Sequence, residues 1–108
     1  MAKVAIIGAG SIVFCKTLML DIMATEGLPD TEFALMAPSR RRTPQVEAFA
    51  QRVIDRNDLP ARVWTTTDQR EALEGADYVI ATFQVGGLQG FQYDYDIPLK
   101  HGVDQCIG

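Results

Sequence analysis

The chain has 108 residues, enough for one domain and small for an α/β domain. With 47% apolar and 22% charged residues it has the composition of ordinary soluble globular protein, which excludes a disordered or membrane-spanning class. A formal charge of -4 argues against nucleic acid or an anionic membrane surface as the main partner.

The first predicted element is the apolar run Lys3–Ile7 (KVAII), whose near-continuous apolar character fits a short strand covered on both faces. It runs straight into Gly8, Ala9, Gly10 and Ser11. Gly8 and Gly10 let the backbone turn sharply and approach a ligand closely, because neither carries a Cβ. A helix starting near Ser11 and Ile12 points its free N–H groups and the positive end of its dipole into that turn. This makes an anion site that fits a diphosphate. The full dinucleotide fingerprint has a third glycine where Val13 stands, so an ordinary strand-to-helix turn without a ligand stays open as the bland reading. No secretory leader is expected, since the apolar run is too short and is interrupted by Gly8 and Gly10.

Residues 12–23 are dense in apolar side chains, with Lys16, Thr17 and Asp21 as polar positions, as in a helix packed against a sheet. Gly27, followed by Pro29, is the expected stop. Glu32–Met36 (EFALM) is a second short strand, and Pro38, Ser39, Arg40, Arg41 and Arg42 form a basic loop after Ala37. Thr43 is the expected N-cap of the next helix, with Pro44 at its first position. Val46, Phe49, Ala50, Val53 and Ile54 then fall at i, i+3, i+4, i+7 and i+8, one buried stripe of an amphipathic helix that Asn57, Asp58 and Pro60 end. Residues 62–65 give a third strand. Asp68 and Glu71 have capping-box spacing for a short helix closed by Gly75. Residues 78–83 form the fourth strand, with Gln84, Val85, Gly86 and Gly87 as the loop at its end. The stretch 88–100 is mixed polar and aromatic and is expected to be partly helical up to Ile97 and Pro98.

The two cysteines, Cys15 and Cys106, have neither disulfide-framework nor zinc spacing. Reduced thiols in a cytoplasmic protein are expected, with Cys15 a small buried residue of the first helix. Strands alternating with helices imply right-handed crossovers and a parallel, Rossmann-like sheet of about four strands. In the order 3-2-1-4 the direction of winding reverses beside the first strand. The turn at Gly8–Ser11 and the loop at 84–87 then face each other across a crevice, which strengthens the dinucleotide reading. In such domains an acid at the end of the second strand takes the adenosine ribose hydroxyls, yet Ala37 stands there. Ser39, Arg40 and the following arginines could instead bind a ribose 2′-phosphate through charge-assisted hydrogen bonds. NADP preference or relaxed cofactor choice is one reading of this loop. A solvated loop with no specific role is the other.

Taken in order, AIIGAGS (5–11), ALM (34–36), EALEGADYVI (71–80), QVGG (84–87) and DIPLKHGVDQ (96–105) resemble the N-terminal domain of the family 4 glycoside hydrolases. The resemblance covers essentially the whole chain, and the ending GVDQCIG (102–108) is most similar to the α-galactosidase and α-glucosidase branch. It implies a parent glycosidase that uses NAD and manganese. There the cofactor takes a hydride from C3 of the sugar, a base removes the acidified C2 proton, and the glycosidic bond breaks by elimination. Water then adds and the hydride returns. By position, the resemblance places the phosphate-binding turn on Gly8, Gly10, Ser11 and Ile12, and the second cofactor loop on Gln84, Val85, Gly86 and Gly87. Ala37 departs from the acid usual in relatives, which leaves NAD against NADP open. The family's catalytic base and its metal-binding cysteine and histidine lie beyond residue 108. No catalytic or metal-binding residue is therefore assigned, and Asp94, Asp96, His101 and Cys106 are read as having no such role. The chain is expected to be an incomplete NAD(P)-binding domain, inactive alone. In a full-length protein an α-glycoside substrate and a homo-oligomer are expected. The cofactor half of a 2-hydroxy-acid dehydrogenase and a stand-alone nucleotide-binding module are the alternatives.

Overall fold

A computed structural model describes residues 2–83 and 86–104. Its elements are β1 (Lys3–Ile7), α1 (Ile12–Ala24), β2 (Glu32–Met36), α2 (Thr43–Arg56), β3 (Arg62–Thr66), α3 (Gln69–Leu73), β4 (Tyr78–Ala81) and α4 (Gly87–Lys100). The four strands form one parallel sheet in the order β3-β2-β1-β4, with Ala5 opposite both Ala34 and Val79. This is the expected Rossmann-like arrangement, and it puts the C-terminal ends of β1 and β4 side by side.

The alternation along each strand divides the core into two layers. Val4 and Ile6 of β1, with Phe33 and Leu35 of β2, face α1 and α2 and meet Cys15, Met19, Val46, Ala50 and Ile54. Ala5, Ile7, Ala34 and Met36 face the other way, toward Ala72 of α3. The alanines on that side suit a five-residue helix that lies close to the sheet. Lys3 helps to seat it: its ammonium donates to the carbonyls of Glu71 and Glu74 at the end of α3 and lies 5.3 Å from the centre of the Trp64 ring. The start of β4 is fixed by a reciprocal pair. The Lys3 N–H donates to the Asp77 carboxylate at 2.8 Å and the Asp77 N–H to the Lys3 carbonyl at 2.8 Å.

Several boundaries differ from those expected, each for a local reason. α1 stops at Ala24 rather than continuing toward Gly27. Thr25 turns extended, its hydroxyl bonds back to the Asp21 carbonyl at 2.7 Å, and Gly27 takes a positive φ in the turn beyond. Thr43 is the first residue of α2 and is buried; Arg42 occupies the cap and no side chain caps the helix. Only half of the Asp68 and Glu71 capping box forms. Asp68 accepts from the Arg70 N–H, but its own N–H is already taken by the Thr66 hydroxyl at 3.0 Å. β3 runs on to Thr66, and β4 ends at Ala81, before Thr82 and Phe83. α4 continues through Pro98, which costs one backbone bond in its last turn, and ends at His101. Gly102, with φ of 79°, then closes it. The Gly102 N–H reaches the Leu99 carbonyl and the Val103 N–H the Pro98 carbonyl, a Schellman closure.

Candidate functional site

The site begins where β1 ends. Gly8 has φ of 94°, and a Cβ built there would lie 2.8 Å from the Thr82 carbonyl oxygen, so no other residue fits without movement. That tight packing joins the turn to the chain leaving β4. The Thr82 N–H donates to the Ile7 carbonyl at 2.8 Å and its hydroxyl to the Gly8 carbonyl at 2.9 Å. From the other side, the Met36 carbonyl at the end of β2 accepts from both Gly8 and Ala9, at 2.8 and 2.9 Å. Three strand ends are thus tied to one turn. Thr82 carries no sequence signal of its own, because only the strand register puts it against Gly8.

Ser11 caps α1 with no side-chain hydrogen bond, and the first turn of that helix holds no acidic residue. The leading N–H groups of α1 therefore have no carboxylate of their own turn to neutralise them. Gly10 is roomy: the nearest atoms to a Cβ placed on it are the Cβ and Cδ of Arg42, both at 3.9 Å. Ile12 begins the helix and packs at the edge of the core. Below the turn, the Cys15 thiol is buried and reaches the Ala9 carbonyl at 3.6 Å. Burial pushes its pKa above the ordinary value, and a hydrogen bond to Thr82 partly offsets this. It is a packed thiol under the loop.

After β4, Gly86 and Gly87 both take positive φ, 87° and 56°, as the chain enters α4. Gly86 also lies under Gly90, whose Cα would be 3.1 Å from an added Cβ. Gln84 and Val85, the other two residues expected in this loop, lie outside the described residues.

The third part follows β2. Ala37 is buried, and its N–H donates to the Thr66 carbonyl at 3.3 Å. Ser39 is exposed and its hydroxyl accepts from the Arg41 N–H at 3.1 Å, which shapes the loop. A cavity of about 290 Å³ is lined by Gly10, Ala37, Pro38, Ser39, Arg41 and Arg42. Ala37 and Ser39 are therefore placed next to the glycine turn. Arg40, expected from sequence, is exposed and absent from that lining, where Arg41 and Arg42 stand instead. Among the described residues no three His, Cys, Asp or Glu side chains gather where they could hold a metal. Asp94 and Asp96 lie on α4, where Asp96 accepts both hydrogen bonds of the Gln92 amide, and His101 is exposed at its end. A larger cavity, of about 370 Å³, sits at the opposite ends of β1 and β4 against Ile22 and Leu28. Its wall is almost wholly apolar.

Comparison with known proteins identifies the family. A family model, "Family 4 glycosyl hydrolase", matches residues 3–108. The chain belongs to the family 4 glycosyl hydrolases. An α-galactosidase from Rhizobium meliloti is 50% identical over 106 residues, 98% of this chain and 22% of that protein. One from Bacillus subtilis is 34% identical over 108 residues, 99% of this chain and 25% of that protein. A 6-phospho-β-glucosidase from Thermotoga maritima, solved with manganese, NAD+ and glucose-6-phosphate, superposes with a TM-score of 0.66 at 27% identity. The match covers 96% of this family 4 chain and 24% of the other. The chain thus spans about a quarter of the length of the relatives it matches. Among the described residues no helix is long and apolar enough to cross a membrane.

Proposed function

We propose that residues 1–108 are the nicotinamide-dinucleotide-binding domain of a family 4 glycosidase of the α-galactosidase type. The observation that carries this reading is the turn at Gly8, Gly10 and Ser11. It is locked under Thr82 by a glycine that nothing else can replace, and it faces an uncapped helix end free of acids. The family match favours this reading over a 2-hydroxy-acid dehydrogenase.

The donor set fits a dinucleotide. Gly10 leaves room for a diphosphate to approach the backbone, and the first N–H groups of α1 supply hydrogen bonds and positive potential. Ser11 and Ile12 set the direction of those donors. In this reading the loop after β4, where Gly86 and Gly87 take positive φ, is the second cofactor loop. When bound, the nicotinamide supplies a reversible hydride acceptor, the chemistry behind glycoside cleavage by transient oxidation at C3 and elimination. Binding and orienting that group is this domain's part. The catalytic base and the manganese ligands are assigned to none of the described residues. We place the protein in the cytoplasm, supported by the buried free thiol of Cys15, with neither nucleic acid nor membrane as partner. A full-length homo-oligomer is part of the same reading.

Calorimetric titration with NAD+, with circular dichroism on the same sample, tests it. The chain should bind, and Ser11→Asp should abolish binding while keeping the fold. The new carboxylate is a good N-cap for α1 but sits where the diphosphate must go. A folded chain that binds no nicotinamide dinucleotide, or a Ser11→Asp variant that binds as well as the parent, would sink the proposal.

A further inference from the structure

We propose that the adenosine end of this site is built for a ribose 2′-phosphate, so that the preferred dinucleotide is NADP. The inference rests on the dinucleotide reading above and names which member of that class the site selects. Three observations carry it.

The first is what stands at the end of β2. A carboxylate there would hold the ribose 2′- and 3′-hydroxyls and repel a 2′-phosphate. This chain has Ala37, whose buried methyl group offers neither hydrogen bond nor charge. The second is the cavity beside it. Its lining of Gly10, Ala37, Pro38, Ser39, Arg41 and Arg42 includes two arginines and no acid. The Ser39 hydroxyl accepts from the Arg41 N–H, so its own proton remains available to donate to an anion. Guanidinium and hydroxyl donors match phosphate oxygens better than they match a neutral diol.

The third observation is position. Met36, the last residue of β2, accepts hydrogen bonds from both Gly8 and Ala9, which fixes the basic loop at a set distance from the diphosphate turn. Gly10 lines the cavity itself, and the Arg42 side chain runs along it. One ligand can therefore place its diphosphate at the turn and a second phosphate among Ser39, Arg41 and Arg42. Arg41 and Arg42 are exposed, so each can be removed without opening the core.

The test is calorimetric titration of the chain with NADP+ and NAD+, and with the fragments 2′,5′-ADP and 5′-AMP. NADP+ should bind about tenfold or more tightly than NAD+, with the same preference for 2′,5′-ADP over 5′-AMP, and the advantage should shrink as salt rises. Arg41→Ala should remove most of that advantage while leaving NAD+ affinity within about twofold. Ala37→Asp should reverse the preference. Equal or tighter binding of NAD+ overturns the 2′-phosphate proposal and leaves the dinucleotide reading intact. An Arg41→Ala loss that falls equally on both cofactors overturns it too. A folded chain that binds neither cofactor overturns both readings.

Discussion

Gly8 shows how one backbone conformation holds the whole site. Two separate penalties meet any side chain there: a left-handed φ of 94° and a contact of 2.8 Å with the Thr82 carbonyl oxygen. Gly27 has a similar φ, 87°, with nothing within 4 Å of an added Cβ. The pair therefore separates strain from crowding. Gly27→Ala should cost about 1 kcal/mol, the price of left-handed backbone alone. Gly8→Ala should cost about 3 kcal/mol or more, because the turn must also move away from Thr82. Urea denaturation of the two variants measures the difference. Equal losses would show that the Thr82 contact relaxes freely and that Gly8 is kept for its φ only. Much of this turn was legible in the order strand, glycine, glycine, helix. The role of Thr82 was not, since it depends on the pairing of Ile7 with Ala81.

At the scale of elements, the strands were the most legible features. β1 and β2 are apolar at nearly every position because both faces of the sheet are covered, so Val4, Ala5, Ile6 and Ile7 are all buried. Helix ends were harder to read, because a cap is decided by which partner is nearest. Asp68 and Glu71 have the right spacing, yet Thr66 reaches the Asp68 N–H first. The end of α2 gives a sharper case. Asp58 takes φ of 50°, the Asp58 N–H reaches the Asp55 carbonyl at 3.4 Å, and the Leu59 N–H reaches the Ile54 carbonyl at 3.0 Å. This is the closure that Gly102 makes at the end of α4, performed by a residue with a Cβ. Asp58→Gly should therefore raise stability by about 0.5–1 kcal/mol. Relief of left-handed strain outweighs the extra freedom of glycine in the unfolded chain. A lower urea midpoint for Asp58→Gly would mean that the aspartate side chain contributes more than its backbone costs.

Over the whole molecule the two edges of the sheet are treated differently. β3 carries Arg62 at its start, and Leu59 and Val63 beside it pack toward the α1–α2 layer. β4 (YVIA) carries no charge, and Tyr78 and Val79 are 63% and 54% exposed. Past it, Phe83 is exposed as well, and α4 buries none of its residues. The apolar cavity against Ile22 and Leu28 extends this bare surface onto one face of the sheet. A strand edge with free backbone donors and acceptors, apolar side chains and no lysine or proline to block it invites another strand. In a sample of this chain alone the strand at hand is another copy's β4. Sedimentation should accordingly show an apparent mass that rises with protein concentration. Val79→Lys should lower that association while leaving the circular dichroism spectrum unchanged, because the new ammonium lies at the edge and outside the core. A chain that stays monomeric at every concentration would mean that the β4 edge does not pair between copies.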